Sequence, residues 1–99
     1  MIIYEVNLSV NNSIYNHYIK WLKDHISKML TFKGFCKHHL YEVPFDNSNQ
    51  KKICVHYYVD SLKDLEYYFN NYAEEMKLDG LKIFGEDFSA SRRILSILK

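Results

Sequence analysis

Apolar positions follow two different periods along the chain, and each change of period marks a new element. Apolar residues fall at every second position over 2–10, which is the spacing of a β-strand with one buried face. Over 14–30 they are spaced by three and four, as on one face of a helix, and we expect Gly34 to end this helix. The segment 11–13, Asn-Asn-Ser, offers side chains that can cap its start.

The second half of the chain repeats this order with an additional strand. The β-branched and aromatic segments 35–43 and 52–60 predict two strands, which the polar segment 44–51 joins as a turn. Ser-Leu-Lys-Asp at 61–64 resembles a capping box, with Asp in place of the preferred Glu. The apolar residues that follow it at helical spacing predict a second helix that runs to Met76.

The order of elements indicates a known architecture. Segment 78–85 has two glycines around apolar residues and predicts a short helical turn folded back over an apolar surface, and alternation over 88–95 predicts a fourth strand. The order β-α-β-β-α-β, with right-handed crossovers in one sheet, predicts an α+β ferredoxin-like sandwich. Its four-stranded antiparallel sheet would carry both helices on one face. The other face would have no cover from the chain itself.

Length and composition fit a single small domain spanning residues 1–99. The chain has 99 residues, of which 47% are apolar and 25% are charged. Its 13 basic and 12 acidic residues give a net charge of +1, which argues against nucleic acid or a membrane surface as a partner held by charge. Nine Tyr, six Phe and one Trp are many for this length, and they predict an interface or a lined cavity as well as a core.

The two cysteines indicate a reducing compartment. Cys36 and Cys54 fall on different predicted strands and would not lie opposite each other in a hairpin, so we expect two buried free thiols and no disulfide. Free thiols are typical of the cytosol, and we therefore predict a cytoplasmic location. We expect no signal peptide and no membrane span, because the sequence shows neither a basic leader nor a long apolar run.

Strand parity predicts which polar side chains lie on the uncovered face of the sheet. The candidates are Glu5 and Asn7 in the first strand, His38 in the second, His56 and Tyr58 in the third, and Arg92 and Arg93 in the fourth. Arg92 has the parity of the buried set, which a place at the sheet end or a bulge would accommodate. Because this face is too apolar for water and too polar for a core, we expect a second sheet to cover it at about 10 Å in a homodimer. The polar side chains would then line a cavity for a small molecule.

Four segments resemble one known family. They are Met-Ile-Ile-Tyr-Glu-Val at 1–6, Trp-Leu-Lys-Asp-His-Ile at 21–26, Val-His-Tyr at 55–57, and Phe-Gly followed by Phe-Ser-Ala-Ser-Arg-Arg within 84–93. The chain is similar over nearly its whole length to a bacterial family of domains of unknown function, family 4286, in the dimeric α+β barrel superfamily. In that superfamily two ferredoxin-like protomers join open face to open face. The resemblance therefore implies the fold and the homodimer, but no activity, cofactor or catalytic residue.

The resemblance also bears on two candidate positions. The family pattern has glutamine where this chain has His56, which speaks against a mechanism that requires a histidine there. It has arginine at the position of Arg92, which implies a specific partner for this side chain, such as Glu5 or a carboxylate across the interface. Relatives in the superfamily include cofactor-free monooxygenases, haem-degrading enzymes and ligand-binding regulators, among which fold alone does not choose.

The histidines and cysteines do not predict a metal site. His17 and His25 are two helical turns apart, and the neighbours His38 and His39 point to opposite faces of a strand, whereas zinc needs three or four converging ligands. Cys54 and His56 share a face at about 7 Å, a spacing that favours a structural thiol over an activated nucleophile. We therefore expect no metal and no cofactor.

Acid–base catalysis and RNA binding are two further functions to compare with a hydrogen-bonded dimer interface. Acid–base catalysis by Glu5, His38 or His56, with Arg93 holding an anion, is the alternative to a hydrogen-bonded interface. RNA-recognition domains share the topology, but the first strand offers no aromatic side chain on the uncovered face and the Gly-Phe-Gly-Phe core is missing. We therefore expect no nucleic-acid partner.

The sequence thus favours a cytoplasmic homodimer that serves as a small-ligand-binding or assembly module. The alternative is a cofactor-independent monooxygenase or isomerase that acts in the barrel cavity. This alternative requires a closed pocket above about 300 Å³ that holds Arg and His or Tyr side chains. Whether the chain is an enzyme is left open at this stage.

Overall fold

The computed structural model describes residues 1–44 and 49–98 and has the expected order of strands, with one helix more than expected. The elements are β1 (Ile2–Asn11), α1 (Tyr15–Met29), β2 (Phe35–Glu42), β3 (Gln50–Val59), α2 (Leu62–Asn71), α3 (Ala73–Phe84) and β4 (Phe88–Ser96). Short 3-10 turns at Asn12–Ile14 and Gly85–Asp87 precede α1 and β4. The turn predicted at 44–51 lies partly outside the described residues. No helix in the described ranges is long and apolar enough to span a bilayer.

The four strands form one antiparallel sheet in the order β2-β3-β1-β4. The first strand therefore lies inside the sheet, between β3 and β4, and β2 and β4 are the edges. Together with the helices on one face, this arrangement confirms the α+β ferredoxin-like fold. We call the face opposite the helices the open face.

The core lies between the sheet and the three helices, as the alternation in β1 and β3 predicts. Its strand members alternate with side chains of the open face, and its helix members recur at helical spacing. The buried apolar residues are Tyr4, Val6, Leu8, Val10, Tyr18, Leu22, Ile26, Met29, Phe35, Ile53, Val55, Tyr57, Val59, Leu65, Tyr68, Ala73, Met76 and Phe84. Aromatic rings fill much of this space, with the ring centroid of Tyr18 5.0 Å from that of Phe84 and 5.1 Å from that of Phe88.

The second helical region differs from its prediction. The helix that was expected to end near Met76 is interrupted at Tyr72, where φ is −132° and ψ is −23°, and α3 then continues through Phe84. Segment 78–85 is therefore almost entirely regular helix and not a short turn. Gly80 lies inside this helix, at a position where the helix packs closely against its neighbours. A Cβ atom there would lie 3.0 Å from Trp21 and 3.2 Å from Phe88. The glycine permits close packing and does not end the helix.

The ends of α1 also differ from expectation. Segment 11–13 contributes to the 3-10 turn, and no side chain caps the start of α1. The helix ends at Met29, well before Gly34. Gly34 instead has a positive φ of 86° where the chain enters β2, and its carbonyl accepts a hydrogen bond from the amide of Asp60 at 2.8 Å. At the start of α2 the predicted cap is confirmed, because the hydroxyl of Ser61 accepts a hydrogen bond from the amide of Asp64 at 3.1 Å.

A register shift near the start of β2 overturns the parity predicted for this strand. Phe35 pairs with Val59, but Lys37 pairs with Tyr58, so that Cys36 is the additional residue of a bulge. Cys36 is exposed, contrary to the expected buried thiol, and its Sγ donates to Oδ1 of Asp60 at 2.8 Å. Cys54 is half-buried, and neither cysteine forms a disulfide.

Candidate functional site on the open face

The strand pairing arranges the open face in four rows that run across β3, β1 and β4. The rows are Tyr58–Ile3–Leu95, His56–Glu5–Arg93, Cys54–Asn7–Ser91 and Lys52–Ser9–Ser89. The first row is mainly apolar, the second is charged, and the last two are mostly polar. This order follows from the period of two in each strand, because every second side chain of β1 meets its neighbours on the same face.

Glu5 lies at the centre of the charged row and is only 5% exposed. Its Oε1 accepts hydrogen bonds from Nε of Arg93 at 2.6 Å and from Nδ2 of Asn7 at 2.9 Å. Its Oε2 lies 2.7 Å from Nε2 of His56. These contacts, with Arg93 the strongest, lower the pKa of Glu5 to about 2, so that the carboxylate stays ionised at neutral pH.

The carboxylate of Glu5 affects the pKa values of both Arg93 and Cys54. The hydrogen bond with Glu5 raises the pKa of the Arg93 guanidinium, whose side chain is 67% exposed and can still meet a ligand. Burial, and then the charge of Glu5, raise the pKa of the Cys54 thiol. Cys54 is therefore a thiol, and not a reactive thiolate, in the protein alone.

A groove of about 300 Å³ adjoins this cluster on the same face. The open-face side chains that border it are Asn7, Ser9, Lys52, Ser89 and Ser91. Ser9 donates a hydrogen bond to Oε1 of Gln50 at 2.6 Å. Leu8, Val43, Ile53 and Ala90 also line the groove, and most of its exposed surface is apolar. The groove can therefore hold a small molecule that has an apolar body, with hydroxyl, amide and ammonium groups at its border.

The structure places a different histidine of β2 on the open face from the one predicted. His38 pairs with Tyr57, a core residue, and therefore lies on the helix-bearing face, so that its predicted place on the open face is wrong. His39 takes that place, with its Nδ1 3.2 Å from the hydroxyl of Tyr58. The bulge at Cys36 causes the exchange, since one additional residue reverses the side of every later side chain in the strand.

Arg92 also lies away from the open face. It pairs with Val6 and lines a cavity of about 50 Å³ between the sheet and the helices. Other side chains of that cavity include Tyr18, Trp21, His25, Tyr57 and Tyr68. Arg92 neighbours Tyr4, where its charge partly offsets the burial that raises the pKa of the tyrosine. The resemblance suggested Glu5 as a partner for Arg92, but Glu5 instead forms its ion pair with Arg93.

The structure thus brings five of the seven predicted residues together on one face, namely Glu5, Asn7, His56, Tyr58 and Arg93, and places His38 and Arg92 on the other. Sequence reasoning did not include Cys54 in this set. The ligand atoms of Glu5, Cys54 and His56 lie within 4.8 Å of one another, which makes these three residues able to hold a metal ion. The shared parity of Cys54 and His56 was the available signal, but the third member depends on the pairing of β1 with β3.

Solved structures of similar architecture share little sequence with this chain. A candidate antibiotic biosynthesis monooxygenase from Nitrosomonas europaea is 10% identical, with a TM-score of 0.74 over 98% of this chain and 89% of its own. SnoaB, a cofactor-independent oxygenase from Streptomyces nogalater, is 8% identical, with a TM-score of 0.68 over 99% and 94%. A dimeric ferredoxin-like protein from an uncultured marine organism is 12% identical, with a TM-score of 0.66 over 99% and 97%. Similarity at this level shows the fold alone.

Comparison at the level of sequence families is more specific. No curated protein matches the chain. A family model, described as Domain of unknown function (DUF4286), matches residues 1–98, and the chain belongs to this family.

Proposed function

We propose that this protein is a cytosolic homodimer whose two sheets pack open face to open face and bind a small ligand between them. The observation that carries the proposal is the groove of about 300 Å³, bordered by polar side chains, on a sheet face that has no helix. This volume is at the lower end of the range of small-molecule sites, which is about 300–1,000 Å³. The two free cysteines agree with a reducing compartment.

The apolar row supports a second copy of the chain as the cover. Tyr58, Ile3 and Leu95 lie side by side across three strands, and all three are half-buried without a helix above them. A facing sheet would remove these side chains from water, at about 25 cal/mol for each Å² of apolar surface buried. A solved structure of similar fold, 12% identical, is described as dimeric, which supports the same assembly.

The polar rows support a ligand with oxygen-containing groups. Ser89, Ser91 and Asn7 border the groove and offer hydroxyl and amide groups. The largely exposed guanidinium of Arg93 is at the adjoining row and adds a positive charge. We therefore infer a small molecule that carries hydroxyl or carboxylate groups, and Glu5 would act by orienting Arg93 toward it.

The dimer is tested by measuring mass in solution with size-exclusion chromatography and light scattering at micromolar concentration. We expect twice the chain mass for the wild-type protein and the single-chain mass for Leu95→Arg, which places a charge in the apolar row. Leu81→Arg is the matched control, because Leu81 is 49% exposed on α3. A wild-type protein that is monomeric under these conditions overturns the proposal.

The ligand is tested by native mass spectrometry of the purified protein and by thermal-shift screening with small hydroxy acids and polyols. Ser91→Leu fills the groove, so we expect it to abolish both a co-purified mass and any thermal shift. Ser96→Leu, on the same strand but outside the groove residues, should retain both. A groove that binds none of these compounds, in a protein that is dimeric, leaves assembly alone as the function.

The second candidate is a cofactor-independent monooxygenase or isomerase. The residue types that it needs, Arg, His and Tyr, meet in the cavity on the helix-bearing face, which is not the barrel cavity expected from the sequence. Its volume of about 50 Å³ is well below the ~300 Å³ of small-molecule sites, so that it would have to widen to admit a substrate. Oxygen consumption with phenolic compounds, abolished by Arg92→Gln, would support this activity, and its absence supports the binding module.

A further inference from the structure

The three side chains that converge on the open face have the chemistry of a metal site. Glu5 offers a carboxylate, Cys54 a thiol and His56 an imidazole, and all three ligand atoms lie within 4.8 Å of one another. In residues 1–44 and 49–98 no other group of three such ligands is found. Thiolate and imidazole, with one carboxylate, form a donor set that suits Zn²⁺ and its spectroscopic substitute Co²⁺.

The strand pairing explains why the three meet. His56 lies directly opposite Glu5 in the antiparallel pair of β3 and β1, so that their side chains contact each other across the strands. Cys54 precedes His56 by two residues and therefore points to the same face. Two neighbouring strands in the interior of the sheet thus fix all three ligands, which gives a more rigid frame than a loop would.

The two carboxylate oxygens of Glu5 have different roles: one accepts hydrogen bonds that orient the side chain, and the other can bind the metal ion. Oε1 is held by Arg93 and Asn7 at 2.6 and 2.9 Å, while Oε2 faces His56 at 2.7 Å. Metal-binding carboxylates are commonly oriented by such hydrogen bonds from residues outside the coordination sphere. Arg93 and Asn7 would therefore orient Glu5, and Oε2 would be the atom that binds.

We propose that Oε2 of Glu5, Sγ of Cys54 and Nε2 of His56 bind one Zn²⁺ per chain, with the fourth position open toward the space above the sheet. On binding, the imidazole of His56 carries its proton on Nδ1, so that Nε2 can bind the ion, and the thiol proton of Cys54 is released to solvent. Two ligands of a tetrahedral zinc ion at about 2.0–2.1 Å are about 3.3 Å apart. The 2.7 Å contact between Glu5 and His56 therefore widens by a small side-chain movement.

The half-buried positions of Cys54 and His56 allow an ion to enter from the open side. Arg93 competes for the charge of Glu5, but it contacts Oε1, whereas the ion would bind Oε2. This proposal does not depend on the ligand groove, and the zinc site and the dimer are tested by different measurements.

The test is a titration of the metal-free protein with Co²⁺ under reducing conditions without added thiol. We expect visible d–d bands and a thiolate-to-cobalt charge-transfer band in the near ultraviolet that saturate at one ion per chain, and Zn²⁺ should bleach both. Cys54→Ser should abolish the charge-transfer band, and His56→Gln should weaken binding by about tenfold or more. Circular dichroism shows whether each variant is folded.

The chain offers a matched control for each ligand. Cys36→Ser removes the exposed cysteine of the β2 bulge, and His39→Gln removes the neighbouring open-face histidine, so both should bind Co²⁺ as the wild type does. A wild-type protein without a charge-transfer band overturns the proposal. The proposal is also overturned if the band persists in Cys54→Ser or disappears in Cys36→Ser. If Cys54→Ser does not fold, the titration of His56→Gln decides the question independently.

Discussion

His25 makes the stability of the protein depend on pH between about pH 6.5 and pH 4. Its ring stacks on Trp21 with centroids 4.6 Å apart, in the part of α1 that packs toward α3. Burial lowers the pKa of His25 from 6.5 to about 4. Asp79 opposes this shift, while Lys28 and Arg92 contribute to it. The folded protein therefore keeps His25 neutral at pH values where the unfolded chain binds a proton.

The sign and size of the effect follow from this difference. Between pH 6.5 and about 4 the unfolded chain holds more protons at this position, so that acidification favours unfolding. The linkage relation gives a loss of roughly 2 kcal/mol in the free energy of unfolding between pH 7 and pH 4.5. Glu5 acts later, because its stabilising ion pair is lost only as pH falls from 4.5 toward its folded pKa of about 2. The loss that comes from His25 therefore precedes the loss that comes from Glu5 as the pH falls.

Urea denaturation followed by far-ultraviolet circular dichroism at pH 7, 5.5 and 4.5 measures this loss. His25→Gln is expected to remove most of the pH dependence in this interval, whatever it does to stability at pH 7. His17→Gln, which alters an exposed histidine of the same helix, should leave the dependence intact. If His25→Gln shows the same loss as the wild type, the burial argument is wrong. A ring titration by NMR with a midpoint near 6.5 would refute it directly.

Two further predictions concern packing around the helices. Trp21→Ala should destabilise the protein by about 2–4 kcal/mol, since the half-buried ring contacts Tyr18, His25 and Phe84. Thermal unfolding measures this loss of stability, and a change below about 0.5 kcal/mol would place the ring at the surface. Gly34→Ala should cost about 1–3 kcal/mol, because φ is +86° and the new Cβ would approach the side chain of Asp64 to 2.5–2.7 Å. Gly85→Ala is its control, with a positive φ but no atom within 4 Å of the new Cβ, so it should cost less.

The fold could be read from the sequence wherever one face of an element is strictly apolar. In β1 and β3 the alternating residues Tyr4, Val6, Val55 and Tyr57 are all buried, as predicted. Such a pattern tolerates no shift of register, because a slip by one residue would expose the whole set. The prediction failed in β2, where the apolar residues are fewer and one additional residue, Cys36, reverses the parity. Adjacent His38 and His39 gave no local signal of this reversal.

The extent of α3 could not be predicted for a different reason. Glycine lowers helix propensity by about 1 kcal/mol relative to alanine, so that the two glycines of segment 78–85 favoured a separate short turn over a continuous helix. Its role becomes visible only when α1 lies beside α3, because Trp21 and Phe88 occupy the space that a side chain would need. The low helix propensity of glycine was here outweighed by a tertiary contact. The sequence pattern of residues 73–84 gives no information about this contact.

The candidate site shows the same dependence on tertiary structure. Arg92 and Arg93 are neighbours in β4, yet one lines the cavity under the helices and the other holds Glu5 on the open face. Parity separates the two arginines, but only the pairing of β4 with β1 decides that Glu5 is the carboxylate that Arg93 reaches. Because β1 also pairs with β3, this one carboxylate contacts His56 as well. The cluster therefore exists because strand order brings the first and last strands together, and a shift of β4 by one residue would place Arg92 or Ile94 where Arg93 now neutralises Glu5.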